Sequence, residues 1–165
     1  MHQGQQILWV GIGCKRGTSS QLIDLAIEQV FRENQLSQNA IAGIATIDTK
    51  ASEVGLVEFC NLRNLPLKFF SREVLRCVSV SNPSIISDQT VGTPSIAEAA
   101  AILAATQIKP LLTDSLFIGT EELGVKFLVP KQIFQLKGQL GAVTLAVAQA
   151  ANSINFSIQQ LSKNS

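Results

Sequence analysis

The stretch ILWVGIGCKRGTSSQLIDLAIEQVF, residues 7–31, decides the fold. It opens with an uncharged apolar run, which is typical of a central strand covered on both faces. From Thr18 on, apolar residues recur every three or four positions, as on the buried side of a helix. Thr18 and Gln21 also have the spacing of a capping box. The pattern therefore predicts a strand over residues 5–11 and a helix over residues 18–33.

Short apolar runs and helical patterns continue to alternate along the chain. They predict strands over residues 42–47, 67–70, 125–129 and 142–148, and helices over residues 52–63, 71–76 and 94–106. The last helix is capped either by Thr93, with Pro94 in the first position, or by Ser95, with Glu98 completing a capping box. We predict an α/β protein, a three-layer α/β/α sandwich around a mostly parallel or mixed central sheet. Residues 1–165 are expected to form a single domain.

Four segments give weaker patterns. Residues 77–90 are rich in Ser, Asn and Asp and predict a long loop, and residues 130–141 predict a long hairpin or loop. Residues 116–118 are compatible with an extra strand or with a short packed insertion. The tail after Gln149 has helical spacing but many polar residues, which is typical of a weak helix or a frayed end.

Composition excludes several classes of protein. The chain has 165 residues, 46% hydrophobic and 15% charged, with a formal net charge of +1. No basic surface for nucleic acid is indicated, and no apolar run approaches the roughly 20 residues of a membrane span. The first residues lack the basic flank of a secretory signal, so we expect a cytoplasmic protein without nucleic-acid or membrane partners. Three cysteines without close spacing and a single histidine, His2, lead us to expect no metal site and no cofactor.

Four motifs follow predicted strands and carry the functional signal. They are GIGCKRGT (residues 11–18), TIDTK (residues 46–50), FFSRE (residues 69–73) and VGTPS (residues 91–95). Loops that leave the carboxyl ends of strands in an open α/β sheet line one crevice, where ligands bind. Three of these motifs offer main-chain N–H groups at a helix start, and the first adds Lys15 and Arg16. The set predicts a ligand that carries several anionic groups.

The glycine loop fits neither of two well-known nucleotide motifs. Gly17 comes one residue too late for the dinucleotide fingerprint, and the loop lacks the lysine of the NTPase phosphate loop. The hypothesis of a generic phosphate-binding or nucleotide-binding protein therefore has only this loop as evidence. The simpler alternative is that the loop is a tight turn that needs the conformational freedom of glycine. Cys14 lies near the two cations, which are expected to lower the pKa of its thiol. Because no base is visible beside it, the residues favour a structural or incidental Cys14.

The second motif admits a catalytic and a structural interpretation with equal weight. Asp48 and Glu53 flank Lys50 near one strand end, and such a set can perform acid–base chemistry. Alternatively, the motif is a solvated turn in which Asp48 or Ser52 caps the next helix. Local chemistry likewise favours VGTPS as a helix cap with Glu98 as its capping partner, and a solvent-facing Lys131.

Five blocks taken together resemble one known family. GIGCKRGT, ATIDTKASEVGL, LPLKFFSREVL, VGTPSIAEAAAILAA and LVPK occur in the family's order between residues 7 and 148. The chain resembles the C-terminal domain of cobalt-precorrin-5A hydrolase of cobalamin biosynthesis and the small standalone relatives of that domain. The resemblance implies an α/β/α domain that handles a tetrapyrrole-derived corrin precursor with many carboxylate arms. In the family, the hydrolase opens a lactone on the macrocycle and releases acetaldehyde.

The resemblance also implies site residues and partners. Its matching positions for substrate binding are Gly13, Cys14, Arg16, Gly17, Thr18, Gly92, Thr93, Pro94, Ser95, Glu98 and Lys131, to which charge adds Lys15. Asp48, Lys50 and Glu53 are the catalytic candidates, with Asp48 or Glu53 as general base and Lys50 at the oxyanion. Other enzymes of the pathway are candidate partners.

Two features depart from the family pattern. Residues 106–125 and the tail 150–165 exceed its usual length, which predicts an insertion and an extension around a core of residues 7–148. The full hydrolase carries a further N-terminal domain for which this sequence leaves no room. We therefore keep two functions open, a corrin-precursor hydrolase and a non-catalytic carrier or accessory subunit.

Overall fold

A mixed five-stranded sheet forms the centre of the protein. The computed structural model describes residues 6–79, 95–106, 118–119 and 125–150. The strands of the sheet are β1 (Leu8–Cys14), β2 (Ile41–Ile47), β3 (Leu67–Phe70), β6 (Lys126–Phe134) and β7 (Val143–Gln149). Their order is β3-β2-β1-β7-β6; β1, β2 and β3 are parallel, whereas β7 runs antiparallel to both of its neighbours. Two short strands, β4 (Val78–Ser79) and β5 (Ile118–Gly119), pair with each other in a separate parallel ladder.

Helices cover both faces of the sheet. They are α1 (Ser20–Glu33), α2 (Val54–Arg63), α3 (Arg72–Leu75) and α4 (Ile96–Thr106). On one face α1 and α2 pack over a core that includes Val10, Ile44 and Val147. On the other face α4 packs over Ala45 and Ala148 in a second core. The predicted three-layer α/β/α sandwich with a mixed sheet is confirmed.

Helix α4 lies unusually close to the sheet. A Cβ atom added to Gly11 of β1 would lie 1.9 Å from the carbonyl oxygen of Ala97. All residues from Ala97 to Ala105 are buried, so this alanine-rich helix packs tightly into the core. Small side chains on both elements allow this approach, and it fixes where α4 begins relative to the strand ends.

The first strand and helix begin later than predicted. Strand β1 is Leu8–Cys14 rather than residues 5–11, because its glycine segment continues to pair with β7 as far as Cys14 and Val143. Helix α1 begins at Ser20, and the Oγ of Ser19 accepts a hydrogen bond from the Leu22 N–H at 3.1 Å. The predicted capping box of Thr18 and Gln21 is therefore wrong.

Most other elements match their predictions. Strand β3 has the predicted bounds, β2 begins one residue early, and the Ser71 hydroxyl caps α3. Ser95 and Glu98 form the predicted capping box, with Glu98 N–H to Ser95 Oγ at 3.1 Å and Ser95 N–H to Glu98 Oε1 at 2.9 Å. The alternative cap at Thr93 lies outside the described residues.

Several segments differ from their predictions or fall partly outside the residues that the structure describes. Strand β6 runs on to Phe134, so the predicted loop over residues 130–141 is a shorter hairpin. An additional strand does exist near residues 116–118, as β5. The predicted loop over residues 77–90 begins with the short strand β4, and its residues 80–90 lie outside the described residues, as do residues 91–94, most of residues 106–125 and the tail from residue 151. No helix within the described ranges is long and apolar enough to cross a membrane.

Candidate functional site

The carboxyl ends of β1, β2 and β3 bring three of the sequence motifs to one edge of the sheet. Because the three strands are parallel, the residues that follow them, Lys15, Asp48 and Ser71, leave at the same edge. The start of α4 reaches this edge too, since Ser95 lines a cavity together with Ile47 at the end of β2. The motifs thus converge on one end of the sheet, as the sequence predicts.

The first loop exposes its two cations and Gly17 but buries Thr18. Gly17 has φ +85°, a conformation that favours glycine. The Thr18 side chain is 1% exposed, and its hydroxyl donates to the Lys15 carbonyl at 2.7 Å and accepts from the Ala142 N–H at 3.3 Å. Thr18 therefore fastens the loop to the chain that enters β7. Its predicted contact with a ligand stays a prediction, whereas its structural role in holding the loop is not predicted by the sequence.

Glu53 connects the first loop to the second. Its Oε2 accepts a hydrogen bond from the Gly17 N–H at 2.8 Å, although the two residues lie 36 positions apart. Glu53 immediately precedes α2, whose N-terminus has no side-chain cap. The predicted capping of this helix by Asp48 or Ser52 is therefore wrong. The Glu53 carboxylate acts instead as an anion bound by the glycine loop.

Lys50 and Glu53 lie near the buried thiol of Cys14. Burial raises the pKa of Cys14, the Lys50 charge opposes that rise, and the Glu53 charge adds to it. The expected lowering of this pKa by the loop cations is wrong because Cys14 lies inside the end of β1 rather than in the loop. Cys14 is only 8% exposed, so its thiol stays protonated near neutral pH and is a poor nucleophile.

Asp48 and Lys50 stand at the end of β2 in a single 3₁₀ turn, Asp48–Lys50. Asp48 is exposed and Lys50 is half-buried. The Asp48 carbonyl accepts from the Ala51 N–H at 3.1 Å, which closes the turn and leaves its carboxylate on the surface. This arrangement brings the exposed carboxylate of Asp48 and the half-buried cation of Lys50 to the sheet edge.

Glu98 joins α4 to β6. It is 6% exposed, and its Oε2 accepts a hydrogen bond from the Lys131 N–H at 2.9 Å. Its Oε1 accepts a hydrogen bond from the Ser95 N–H in the capping box of α4. The Lys131 residue is exposed, as predicted. Both oxygens of Glu98 thus have structural partners, and its contact with a ligand stays a prediction. Gly92, Thr93 and Pro94 lie outside the described residues.

Among the described residues, one cavity opens at this edge on the α1–α2 face of the sheet and another on the α4 face. The larger, of about 520 Å³, lies between the starts of α1 and α2 and includes Arg16, Ser20 and Glu53 in its lining. The smaller, of about 160 Å³, is lined by Ile47, Arg72, Leu75, Arg76, Ser95, Ile96 and Ala99. Within the described residues, Arg16 and Ser95 line separate cavities, and the shared pocket that the sequence predicts stays a prediction.

Sequence reasoning missed several residues that line these cavities. Arg72 and Arg76 are exposed, as expected for a short surface helix, but they also border the smaller cavity. Ser20 lines the larger cavity and was not singled out, although the paired serines at the start of α1 are visible in the sequence. No group of three or more His, Cys, Asp or Glu side chains in the described parts of the chain could hold a metal ion.

The fold and this edge define an α/β sandwich domain whose loops and helix starts collect at the carboxyl ends of three parallel strands. The chain belongs to the family described as Cobalamin synthesis G C-terminus, whose model matches residues 8–148. This match covers the central sheet up to Ala148, together with the four α-helices of the described residues. The resemblance that the five sequence blocks indicate is confirmed.

Individual relatives support this assignment. The cobalt-precorrin-5A hydrolase of Priestia megaterium is 32% identical over 98 residues, or 59% of this chain, and the match covers 26% of the enzyme. The chain thus spans about a quarter of the length of this curated relative. Among solved structures, CobE, a protein from the cobalamin biosynthetic pathway, is 26% identical with TM-score 0.58, over 87% of this chain and 93% of that chain. Cobalamin biosynthesis protein chiG from Agrobacterium tumefaciens shares the fold, at 24% identity and TM-score 0.59, over 88% of this chain and 100% of that chain.

Proposed function

We propose that this protein binds a corrin-ring precursor of cobalamin biosynthesis at the carboxyl edge of its parallel strands. The observation that carries the proposal is the collection of exposed cations and helix starts at that edge, in a chain of a cobalamin-synthesis family. Corrin precursors carry many carboxylate arms, and helix N-termini and arginine side chains both bind carboxylates well.

Cations flank the strand ends on both faces of the sheet. Lys15 and Arg16 stand in the first loop, and Arg72 and Arg76 border the cavity on the α4 face. The proposal requires that carboxylates radiating from the rim of one ring reach both groups at once. Between them, Gly13 leaves the end of β1 open, since a Cβ atom there would meet no described atom within 4 Å. This open end suits a broad ligand.

Lactone hydrolysis is the chemical step that these residues support best. Asp48 takes a proton from water while the water oxygen attacks the lactone carbonyl, with Lys50 neutralising the developing oxyanion. The ring C–O bond then breaks, and the leaving oxygen takes up the proton, which yields a carboxylic acid and an alcohol. Of the two candidate bases, Asp48 has the freer carboxylate, because that of Glu53 is bound to the Gly17 N–H. Acetaldehyde is released in a second step, in which the new alcohol loses its proton and becomes a carbonyl group while the carbon–carbon bond to the ring breaks, and the ring takes up the electron pair and a proton.

A carrier or accessory role is the second candidate function. It is favoured by the engagement of Glu53 with the loop, which leaves one described carboxylate fewer for catalysis. It is also consistent with the alignment to CobE, which covers 93% of that chain. A carrier would bind the ring at the same edge and deliver it to another enzyme of the pathway without changing it.

Binding is tested by titrating the purified protein with a precorrin intermediate and following the visible absorption of the ring. We expect a saturable spectral change that weakens about tenfold in Arg16→Gln, because one carboxylate contact is lost. Arg32→Gln is the matched control, since Arg32 is an exposed cation in the last turn of α1. Absence of any spectral change at high micromolar protein would remove the binding proposal.

Catalysis is tested separately by assaying acetaldehyde release from the bound lactone. We expect Asp48→Asn to abolish release while the spectral titration remains unchanged. If the wild-type protein binds the ring but releases no acetaldehyde, the carrier role is the correct one. Co-purification with another cobalamin-pathway enzyme would support that role further.

A further inference from the structure

Three residues form a row across the α4 face of the sheet near the carboxyl end of β1. Gly13 of β1 pairs with Thr144 of β7, and Thr144 pairs in turn with Ile133 of β6. Residues that pair across neighbouring strands project to the same face of a sheet. Gly11 lies two positions before Gly13, hence on the same face, and there it meets the backbone of α4. The three residues, which we call the open row, therefore continue the α4 face toward the carboxyl edge.

The open row lies beyond the part of the sheet that α4 covers. A Cβ atom at Gly11 would meet the Ala97 carbonyl oxygen, whereas one at Gly13 would meet no described atom within 4 Å. At the other end of the row Ile133 is 65% exposed, and Thr144 between them is half-buried. The row crosses two inter-strand spacings, about 10 Å in all, which is comparable with the width of a tetrapyrrole-derived ring.

Exposed cations stand on both sides of the open row. On the β6 side, Lys131 precedes the row by two residues and is exposed. On the β2 side, Arg72 and Arg76 border the small cavity at the start of α4, whose lining includes no carboxylate. Glu98, in the first turn of α4, accepts hydrogen bonds from main-chain N–H groups at both of its oxygens, which offsets its charge. The surroundings therefore complement a ligand that is apolar on its face and anionic at its rim.

We propose that the open row holds the apolar face of a corrin precursor. This inference rests on the proposed function and adds the surface of the sheet against which the ring lies. Gly13 lets the ring approach the main chain of β1, and Ile133 supplies an apolar contact on β6. The cations on the two sides bind carboxylates at the rim of the ring.

The contact with Ile133 is tested by titrating the Ile133→Gln variant with the precorrin intermediate and following visible absorption. We expect binding about tenfold weaker than in the wild type, because a polar side chain of similar size replaces an apolar contact. Leu62→Gln is the matched control, since Leu62 is 72% exposed near the end of α2, away from the carboxyl edge. Its affinity for the ring should equal that of the wild type. Both side chains are exposed, so both variants should fold.

Methyl signals in NMR spectra of the full wild-type chain locate the ring independently of its affinity. Ring addition should shift the methyl signals of Ile133 and Thr144, because the ring lies against them. The methyl signals of Val54, which lines the cleft between α1 and α2, and of Leu62 should stay in place.

Failure of this inference can be told apart from failure of the proposed function. A wild-type protein that binds no ring would overturn the proposed function and the inference together. Ring binding without shifts at Ile133 and Thr144, or with equal affinity in Ile133→Gln, would overturn the inference alone. Shifts at Val54 instead would place the ring on the α1–α2 face.

Discussion

At the scale of single residues, the site combines groups that face ligand with groups that hold the loops in position. Lys15 and Arg16 are exposed, whereas Thr18 is buried and bonded to the chain before β7. Sequence alone cannot separate these roles, because a threonine at a helix start is an equally good cap, ligand or tether. The partner that decides, Ala142, lies 124 positions away. Only the folded chain brings it close.

The role of Glu53 in holding the first loop in position can be tested by substitution. The Glu53→Ala variant should lose about 1 kcal/mol of unfolding free energy, because the Gly17 N–H loses its acceptor in a partly exposed place. Glu53→Gln should lose less than half as much, since its amide oxygen can still accept. Urea denaturation measures both, with Glu58→Gln as a control that lines the same cleft. Equal losses in the Ala and Gln variants would contradict a positioning role.

Cys60 makes stability depend on alkaline pH. Burial raises the pKa of this thiol from its ordinary value of 9.0 to about 11. Between these values the unfolded chain has lost the proton and the folded chain still holds it, so unfolding free energy falls as pH rises. The stabilisation is complete below about pH 9 and its loss should approach about 2 kcal/mol near pH 11.

A variant without the thiol isolates this effect from other groups that titrate at high pH. Denaturant unfolding of the wild type and of Cys60→Ala should be compared between pH 8 and pH 11 at about half-unit steps. The variant is less stable at neutral pH because Cys60 is buried, but its stability should decline less steeply. Parallel declines would show that Cys60 does not contribute.

At the scale of elements, the position of α4 depends on the glycines of β1. Gly11 admits the backbone of α4, with the carbonyl oxygen of Ala97 in the space of a Cβ atom. Two residues on, Gly13 has no described atom within that space out to 4 Å. Within the described residues, packing therefore explains the glycine at position 11 but not the one at position 13.

Alanine substitutions should separate these two glycines. Gly11→Ala is expected to destabilise the protein by about 1–3 kcal/mol or more, because backbone atoms of α4 must move. Gly13→Ala should change stability by less than about 0.5 kcal/mol. Thermal denaturation measures the stability, and the ring titration should show weaker binding in Gly13→Ala alone. A destabilised Gly13→Ala would show that this glycine, too, serves packing.

At the scale of the whole molecule, the sequence predicts the architecture better than the site. Apolar runs and helical spacing locate β2, β3 and α4, because the burial of these elements is visible in the order of apolar and polar residues within each segment. The sequence pattern ends the first strand at Gly11, because the pairing that extends β1 to Cys14 is made with β7, and the partner of Cys14, Val143, lies 129 positions away. The division of the edge into two cavities depends on which face each helix covers, which no local pattern encodes.

A ligand that spans the edge of the sheet should contact residues on both of its faces, and each contact should contribute to the binding affinity. Arg16 and Arg72 line different cavities, so a ring that reaches both should lose about tenfold in affinity with either arginine replaced by glutamine. The double variant should lose about a hundredfold, because the two contacts are separate and their free energies add. Ring titrations of the four proteins measure this directly, and Arg32→Gln again controls for net charge. If only Arg16→Gln weakens binding, the ring lies on the α1–α2 face alone, and the cavity beside Arg72 serves some other purpose than holding this ligand.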